Sequence, residues 1–347
     1  MRVGVNGRYL TRRITGVDRF AREIMRELDK LVKPGEVEIA VPAATELVDE
    51  PKLKNIKIVR VGKHAGHAWE QLDYARYLKR ENRLGFSPCN TAPLFNPGIV
   101  CIHDMAIRAN AGNYSKKFVL WYRFMYSLLI RNAKRIITVS NFSKSEIEKY
   151  YPRAKGKISV VPNGWDHIER VVSDSGIFEK YPQLKSRDYY FAMSSLAPNK
   201  NLKWLVGTAK LNPEELFVIA GGMNSKVFAE SGIPQANNVI YPGYVSDGEA
   251  KALMEHCKAF LYPTFYEGFG IPPMEALACG APIVVSDTPV MHEIYKKNCL
   301  FINPLKSISG LRKIVSKTSD GTDYGQYRWR ISAERLHSVI SYVGRNK

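Results

Sequence analysis

The chain has 347 residues, of which 45% are hydrophobic and 24% charged, and these values exclude a disordered chain, a collagen-like repeat and a small disulfide-stapled domain. No stretch reaches the ~20 apolar residues of a spanning helix. The five cysteines are scattered and form no CxxC pair, which indicates a reducing compartment and argues against a zinc site. The formal net charge is +18, and residues 1–160 hold 30 basic against 15 acidic side chains. Such a basic half favours an anionic partner, although a generally solvated basic surface has the same composition.

Short apolar runs alternate with helical segments along the chain, which is the pattern of α/β units with parallel sheets. In the first half, strands are predicted at 2–6, 37–41, 55–59, 98–102, 135–139 and 157–161, and helices at 16–31, 68–80, 117–133 and 141–150. In the second half, strands are predicted at 189–193, 216–220, 238–242, 259–263, 282–286 and 299–303, and helices at 201–211, 246–257, 272–279 and 289–296. A last helix is predicted over 329–343. The sequence therefore predicts two doubly wound halves that meet within 165–187.

The segment 262–285 carries the most specific pattern in the chain. After a predicted strand, a loop brings Glu267 and Gly270, and a Pro-Pro pair at 272–273 opens a helix with Glu275 in its first turn. The unpaired N–H groups and the dipole of such a helix start favour an anion, and glycine lets the backbone approach a ligand closely. Acidic residues are also common at helix starts for structural reasons, but the whole string is more particular than that.

This segment, with seven residues between Glu267 and Glu275, resembles the signature of retaining nucleotide-sugar glycosyltransferases of the GT-B fold, and it looks closest to glycosyltransferase family 4, group 1. Further similar segments are 139–144, 161–164, 196–202, 220–222, 242–245, 279–284 and 292–294, and Trp329 matches the aromatic residue that opens the final helix of the family. The resemblance covers nearly the whole chain.

The resemblance implies an α/β architecture of two facing Rossmann-like, doubly wound domains with a cleft between them. The implied divisions are an acceptor-binding domain over 1–168, a donor-binding domain over 169–326, and a C-terminal helix over 327–347 that packs back on the first domain. In open α/β sheets ligands bind outside the carboxyl ends of the strands, so the cleft is the expected site.

The resemblance also implies roles for the matching residues of the donor half. Glu267 is expected against the donor sugar, near the reacting carbon. The backbone N–H groups of Phe269, Gly270 and Ile271 are expected to contact the sugar hydroxyls or the diphosphate. Glu275 is expected to accept hydrogen bonds from the ribose hydroxyls, which suits an ionised carboxylate.

The phosphate-binding loop departs from the family at one position. Lys200 is expected to pair with the donor diphosphate, but Asn199 stands where the family usually has an arginine, and it is carried over as a donor-binding position. A second positive charge could come from Arg8, Arg12 or Arg13 in the first loop.

Two positions of the first half match the family as well. His103, followed by Asp104 at the end of a predicted strand, resembles the His-Asp step whose imidazole contacts the donor sugar, and it favours a mannose-type donor. Taken alone, such a histidine is more often a buried structural residue, and its place at a strand end before Asp104 favours the functional interpretation. Gly16 matches the glycine of the first loop, whose backbone approaches the diphosphate.

The chain contains no Asp-x-Asp pair, the motif with which metal-dependent transferases hold a cation on the diphosphate. Lys200 and a helix N-terminus can stabilise that charge instead, so no metal and no cofactor is expected beyond the nucleotide sugar as co-substrate. No carboxylate is clearly placed as a covalent nucleophile. The preferred mechanism for retention is therefore departure and attack on the same face of the sugar.

The segment 116–135 is rich in aromatic residues and leucine, and it is basic without an acidic residue. It predicts either a buried core helix or an amphipathic helix that lies on an anionic membrane. In the second case Lys116, Lys117 and Arg123 contribute to the acceptor and membrane surface.

The predicted function is transfer of a hexose, mannose-type favoured, from a nucleotide-diphosphate sugar to a saccharide acceptor in bacterial surface polysaccharide synthesis. The acceptor is expected to be linked to undecaprenyl diphosphate, and the protein is expected to be cytoplasmic and peripheral on the inner face of the cytoplasmic membrane. The alternatives are another GT-B enzyme, such as a nucleotide-sugar epimerase or a phosphorylase, a degenerate transferase that acts as a scaffold, and a basic nucleic-acid-binding protein. Charge alone suggests the last one, and it leaves 262–285 unexplained. No nucleic-acid partner is therefore expected.

Overall fold

A computed structural model describes residues 1–186, 188–194, 197–221, 236–315 and 324–345. It divides into two compact units, Met1–Gly164 together with Gly325–Lys347, and Trp165–Tyr324. The chain thus leaves the first unit at Gly164 and returns to it at Gly325, where the sequence placed its divisions after 168 and 326.

The first unit is built on a seven-stranded parallel sheet in the order β3-β2-β1-β4-β5-β6-β7. Its strands are β1 (Val3–Asn6), β2 (Val37–Pro42), β3 (Lys57–Val61), β4 (Leu84–Ser87), β5 (Ile99–Cys101), β6 (Arg135–Thr138) and β7 (Ile158–Val160). Its helices before residue 165 are α1 (Gly16–Asp29), α2 (Gly66–Ala68), α3 (Ala75–Arg80), α4 (Ala106–Ala109), α5 (Lys116–Asn132) and α6 (Asn141–Tyr150). A π-helical turn over Trp69–Tyr74 joins α2 to α3.

The second unit is built on a six-stranded parallel sheet in the order β10-β9-β8-β11-β12-β13. Its strands are β8 (Tyr189–Met193), β9 (Leu216–Ala220), β10 (Val239–Gly243), β11 (Ala259–Tyr262), β12 (Ile283–Ser286) and β13 (Leu300–Ile302). Its helices are α7 (Ile177–Lys180), α8 (Gln183–Ser186), α9 (Leu202–Leu211), α10 (Asp247–His256), α11 (Ile271–Ala278), α12 (Pro289–Tyr295) and α13 (Leu311–Val315).

The last helix, α14 (Trp329–Arg345), belongs to the first unit. It packs along α1, where the rings of Phe20 and Trp329 lie 6.2 Å apart, and Ser332 donates a 2.7 Å hydrogen bond to the carbonyl of Pro162. A Cβ on Gly164 would come within 2.5 Å of the backbone nitrogen of Trp329, so only glycine permits this approach. Two segments that the sequence analysis singled out separately, 161–164 and Trp329, therefore meet at one contact.

The sequence patterns explain most of these elements. On α1, Phe20, Ile24 and Leu28 recur every four residues and are fully buried, which places them on one face of the helix. All twelve predicted strands and all nine predicted helices overlap an observed element.

The strand β4 was missed by the sequence prediction, because its residues LGFS, followed by proline, are typical of a turn. In the structure β4 pairs with β1 and β5 in the middle of the sheet. A Cβ on Gly85 would lie 2.8 Å from Cδ1 of Leu78 and 3.1 Å from the carbonyl oxygen of Pro97, so the packing around this strand leaves little room for a side chain. This strand is determined by tertiary packing, which no local sequence pattern reveals.

In the described part of the chain, every helix is too short or too polar to cross a membrane.

Candidate functional site

The phosphate loop and the first glutamate of the signature meet in the second unit. Lys200 ends a short 3-10 turn after β8, and Glu267 lies in the loop after β11, the strand that pairs with β8. The ammonium Nζ of Lys200 lies 2.7 Å from Oε1 of Glu267. The two side chains are 27% and 14% exposed, so the pair is only partly shielded from solvent. The carboxyl ends of two parallel strands thus bring together the two residues on which the sequence analysis placed the reaction.

A buried tyrosine supports this ion pair. Tyr262, the last residue of β11, is 2% exposed, and its ring centroid lies 5.4 Å from Nζ of Lys200. Its hydroxyl oxygen is 3.4 Å from the same ammonium. Burial raises the pKa of the Tyr262 phenol well above its ordinary value, and the neighbouring charge of Glu267 raises it further. The phenol is therefore neutral at physiological pH and fills the space beneath Lys200 as an apolar ring.

The loop that carries Lys200 is fixed by the asparagines on either side of it. Asn201 adopts the left-handed conformation with φ of 54°, which asparagine tolerates better than most residues. Its side-chain amide donates to the carbonyls of Pro263 at 2.9 Å and Pro304 at 2.7 Å. The carbonyl of Asn199 accepts a 2.8 Å hydrogen bond from the backbone N–H of Phe265. Asn199 thus joins the loop to the segment after β11, and its amide replaces the cation that the family usually has there.

The helix start predicted at 272 begins one residue earlier, at Ile271, with Gly270 as its N-cap. Gly270 has φ of 89°, a conformation that favours glycine, and a Cβ on it would also crowd Cε of Met291 at 3.1 Å. The hydroxyl of Tyr295 donates to the carbonyl of Gly270 and holds the loop. The backbone of Phe269, Gly270 and Ile271 therefore enters α11 in a fixed geometry, at the helix end that attracts anions.

The second glutamate of the signature is held by a histidine that the sequence analysis missed. Nε2 of His167 lies 2.7 Å from Oε1 of Glu275. His167 is 3% exposed and the side chain of Glu275 is 13% exposed, so the contact is almost wholly shielded. Oε2 of Glu275 has no hydrogen-bond partner among the described residues. The histidine fixes the carboxylate and leaves one oxygen able to accept hydrogen bonds. No pattern around residue 167 could have shown this, because the two residues are 108 positions apart.

In the first unit, His103 follows β5 and is 5% exposed. Its Nε2 lies 2.8 Å from the carbonyl oxygen of Pro88, and because a carbonyl only accepts, Nε2 carries the proton. Burial lowers the pKa of His103 to about 4, so the ring is neutral at physiological pH and Nδ1 is a hydrogen-bond acceptor. Nδ1 has no partner in the described part of the chain. The local packing, including an edge contact of the ring with Phe20 at 4.9 Å, is also that of a structural histidine.

Gly16 is the first residue of α1 and is exposed. A Cβ on Gly16 would meet no described atom within 4 Å, so the packing of the unit does not require glycine there. Arg12 lies before it and is paired with buried Asp18, with Nη2 at 2.7 Å from Oδ1. Among the first-loop arginines considered as a second charge, Arg8 and Arg12 are thus each engaged by a carboxylate of their own unit, Glu70 and Asp18 respectively.

The helix α5 has two apolar faces rather than one. Met125, Leu129 and Ile130 are buried in the first unit. Leu120, Trp121 and Phe124 are 68%, 50% and 53% exposed, respectively. Lys116, Lys117 and Arg123 are also exposed. The helix is therefore a core element that also bears an exposed aromatic and basic surface, and the binding of that surface to a membrane stays a prediction.

Two motif positions, Leu196 and Gly222, lie outside the described residues. Within the described ranges, no group of three His, Cys, Asp or Glu side chains is arranged to hold a metal ion.

Comparison with known proteins identifies the class of this fold. A family model described as "Glycosyl transferases group 1" matches residues 175–321, and one described as "Glycosyltransferase Family 4" matches residues 14–168. The structure of HepE from Anabaena in complex with UDP and glucose superposes with a TM-score of 0.69, over 98% of this chain and 99% of that one. At 16% identity this likeness concerns the fold alone, which is GT-B.

Two curated relatives are similar in sequence. The O-antigen chain mannosyltransferase RfbU of Salmonella typhimurium is 28% identical over 220 residues, which cover 62% of this chain and 59% of that protein. The O-antigen chain mannosyltransferase B of Escherichia coli is 29% identical over 250 residues, which cover 68% of this chain and 64% of that protein. The matches thus span less than two thirds of each relative. The chain belongs to glycosyltransferase family 4, group 1, as its sequence motifs indicated.

Proposed function

We propose that this protein transfers a hexose, with mannose favoured, from a nucleotide-diphosphate sugar to a saccharide acceptor, with retention of the anomeric configuration. The observation that carries the proposal is the convergence of Lys200, Glu267 and the start of α11 at the ends of two paired strands. Support for the sugar comes from the relatives, which are named mannosyltransferases of O-antigen chains. The same names favour an acceptor in surface polysaccharide synthesis.

Positively and negatively charged groups would bind different parts of the donor. The ammonium of Lys200 and the N–H groups that open α11 would bind the diphosphate, because both present positive charge to it. Oε2 of Glu275 would accept hydrogen bonds from ribose hydroxyls, since His167 engages only Oε1. Asn199 adds no charge, so Lys200 is the cation of this loop that would carry the leaving diphosphate.

In the reaction the bond between the anomeric carbon and the diphosphate oxygen breaks, and the electron pair leaves with the nucleoside diphosphate. Negative charge grows at the phosphate, where Lys200 and α11 stabilise it, and positive charge grows on the oxocarbenium-like sugar, where the carboxylate of Glu267 stabilises it. The leaving phosphate oxygen takes the proton of the acceptor hydroxyl, which attacks on the same face. The contact of His103 with the sugar, implied by the family resemblance, is part of this proposal.

The test is release of nucleoside diphosphate from a panel of nucleotide sugars, including GDP-mannose, UDP-glucose and UDP-galactose, by the full chain. At least one is hydrolysed slowly without acceptor if the proposal holds, and excess EDTA leaves the rate unchanged because Lys200 replaces a metal. Loss of turnover in EDTA, restored by Mn²⁺ or Mg²⁺, contradicts the metal-independent part. Proton NMR of a transferred sugar decides between retention and inversion.

The acceptor is proposed to be lipid-linked, and the protein to bind the anionic face of a membrane through α5. Trp121, Phe124 and Leu120 are exposed apolar side chains on the same helix as Lys116, Lys117 and Arg123. Each Lys or Arg near an anionic surface contributes roughly 1 kcal/mol, and aromatic side chains add to this by entering the interface. A peripheral protein of this kind needs no spanning helix.

A further inference from the structure

A buried carboxylate, Glu70, lies in the first unit and is not among the residues assigned to the donor. Glu70 is 1% exposed and accepts hydrogen bonds from Nδ2 of Asn6 at 2.7 Å, Oγ1 of Thr91 at 2.8 Å and Nη1 of Arg8 at 3.0 Å. Burial by itself raises the pKa of Glu70, but its polar neighbours, of which His67 and Arg8 act most strongly, hold it below the ordinary value. Glu70 is therefore an ionised group that the fold surrounds with donors.

The place of this cluster in the fold is typical of a ligand site. Asn6 ends β1, and its amide also reaches Oγ of Ser87, which ends the neighbouring strand β4. Thr91 lies in the loop after β4, and Glu70 lies in the π-helical turn Trp69–Tyr74. Ligands of parallel sheets bind at the carboxyl ends of the strands, and π-helical turns are frequent at functional sites.

Only one nitrogen of the Arg8 guanidinium is used in the cluster. Nη1 contacts Glu70, Thr91 at 3.4 Å and Nδ1 of His67 at 3.2 Å. Nε and Nη2 have no hydrogen-bond partner among the described residues and are not enclosed, and the side chain is 17% exposed. The carboxylate oxygens of Glu70, by contrast, are covered. The accessible atoms of the Arg8–Glu70 pair are thus the N–H donors of Nε and Nη2, and the contact of Nη1 with Glu70 holds them in position.

A second arginine of the same loop is paired in a similar way. Arg12 is 45% exposed and bonds Asp18 through Nε and Nη2, so its Nη1 is unpaired in the described structure. The carboxylate of Asp18 is 0% exposed, so the two arginines present donors while their counter-charges stay buried.

We propose that Arg8, positioned by Glu70 and assisted by Arg12, binds a phosphate or diphosphate group at the carboxyl edge of the first sheet. Arginine suits this ligand because two parallel N–H groups can engage two phosphate oxygens at once. The identity of the ligand rests on the proposed function, and the residues of this site belong to the first unit, whereas Lys200 belongs to the second. Two ligands of the proposed reaction carry such a group: the lipid diphosphate acceptor, in its headgroup, and the donor, in its nucleoside diphosphate.

The test uses inorganic pyrophosphate and isothermal titration calorimetry at low salt. The parent is the Lys200→Ala variant of the full chain, which removes the cation proposed for the donor diphosphate. The parent still binds pyrophosphate, and adding Arg8→Gln weakens this binding by about tenfold or more. Arg8→Lys keeps the charge next to Glu70 and secures folding, but lacks the fork, and it weakens binding by about threefold or more. Arg153→Gln, at an exposed arginine of the same unit, leaves the affinity unchanged.

Competition separates the two sources. In the parent, displacement of pyrophosphate by farnesyl diphosphate assigns the site to the acceptor, and displacement by GDP alone assigns it to the donor. The proposal is overturned if the parent binds no pyrophosphate, if a folded Arg8→Lys and Arg8→Gln bind it as the parent does, or if neither compound competes. None of these measurements requires turnover, so a failure of the glycosyl-transfer proposal is seen independently in the hydrolysis assay.

Discussion

Lys200 and Glu267 are 67 positions apart in the chain, yet their side chains form an ion pair of 2.7 Å above the ring of Tyr262. The pair links the loop after β8 to the loop after β11, and these strands are neighbours in the sheet. Lys200 is proposed to bind the phosphate and Glu267 to stabilise the sugar. The position of each side chain therefore depends on the other. Substitutions at the two positions should be strongly non-additive, because each side chain orients the other.

Lys200→Ala should raise the KM for the nucleotide sugar by about tenfold or more and also lower kcat, since Glu267 loses its orienting cation and the diphosphate its partner. Steady-state hydrolysis of the preferred donor measures both constants. Lys203→Ala, at an exposed lysine three residues further on, is the matched control and should leave both unchanged. A Lys200→Ala enzyme with the wild-type KM would show that the diphosphate is held elsewhere.

His167→Phe should raise the donor KM by about tenfold, and kcat should change much less, because Glu275 loses the contact that orients it toward the ribose. His167→Gln retains an N–H donor and should recover most of the affinity. Comparing a nucleotide sugar with its 2′,3′-dideoxyribose analogue identifies the cause. If His167→Phe discriminates between the two donors as strongly as the wild type, Glu275 does not act through this histidine.

The stability of the protein should depend on pH through His103. A histidine titrates near 6.5 in an unfolded chain, whereas burial lowers the pKa of His103 in the folded chain to about 4. Between these values the unfolded state binds the additional proton, so the free energy of unfolding falls as the pH is lowered from about 6.5 to about 4. His103→Gln removes this contribution of up to about 3 kcal/mol.

Urea denaturation at pH 7 and pH 4.5 measures the effect. The loss of stability between the two pH values should be smaller for His103→Gln than for the wild type. His337→Gln, at a histidine of α14 that has no ion pair among the described residues, should lose as much as the wild type does. Equal losses in all three proteins would mean that His103 titrates near its ordinary pKa when folded.

Membrane binding through α5 should require anionic lipid and weaken with salt. In a flotation assay, vesicles of phosphatidylglycerol and phosphatidylethanolamine at low salt should carry the wild type, and neutral phosphatidylcholine vesicles should not. Changing Lys116, Lys117 and Arg123 together to glutamate should release the protein and leave donor hydrolysis intact. The same change at Lys185, Lys203 and Lys210 of the second unit reverses equal charge and should preserve binding. Equal recovery of the wild type in the soluble fraction with both vesicles contradicts membrane docking.

The sequence was sufficient where local patterns carry the structure. The alternation of apolar runs and helices predicted both parallel sheets, and the string from Glu267 to Glu275 identified the family. The sequence was insufficient where contacts between distant segments determine the structure. β4 escaped because Gly85 is set by packing against Leu78, and His167 because its partner is Glu275. The buried environment of Glu70, and with it the free donors of Arg8, depends on three separate segments and has no local signature.

The segment 116–135 shows a second limit of sequence reasoning. Its composition fitted both a core helix and a surface helix, and the structure shows that α5 is apolar on two sides, with Leu129 buried and Trp121 half-exposed. The composition of the segment does not show which of its apolar residues are buried and which are exposed, and only the packing of the helix does.

The measurement that tests the central claim most directly is release of nucleoside diphosphate from GDP-mannose, and from the other donors of the panel, by the wild type and Glu267→Gln. Glutamine keeps the shape of the side chain and removes its charge, so kcat should fall by about a hundredfold or more in a protein that unfolds at the wild-type temperature. Glu334→Gln, at an exposed glutamate of α14, should retain full activity. Turnover of Glu267→Gln within a few-fold of the wild type, or no release from any donor by a folded wild type, would contradict the assignment of this site to glycosyl transfer.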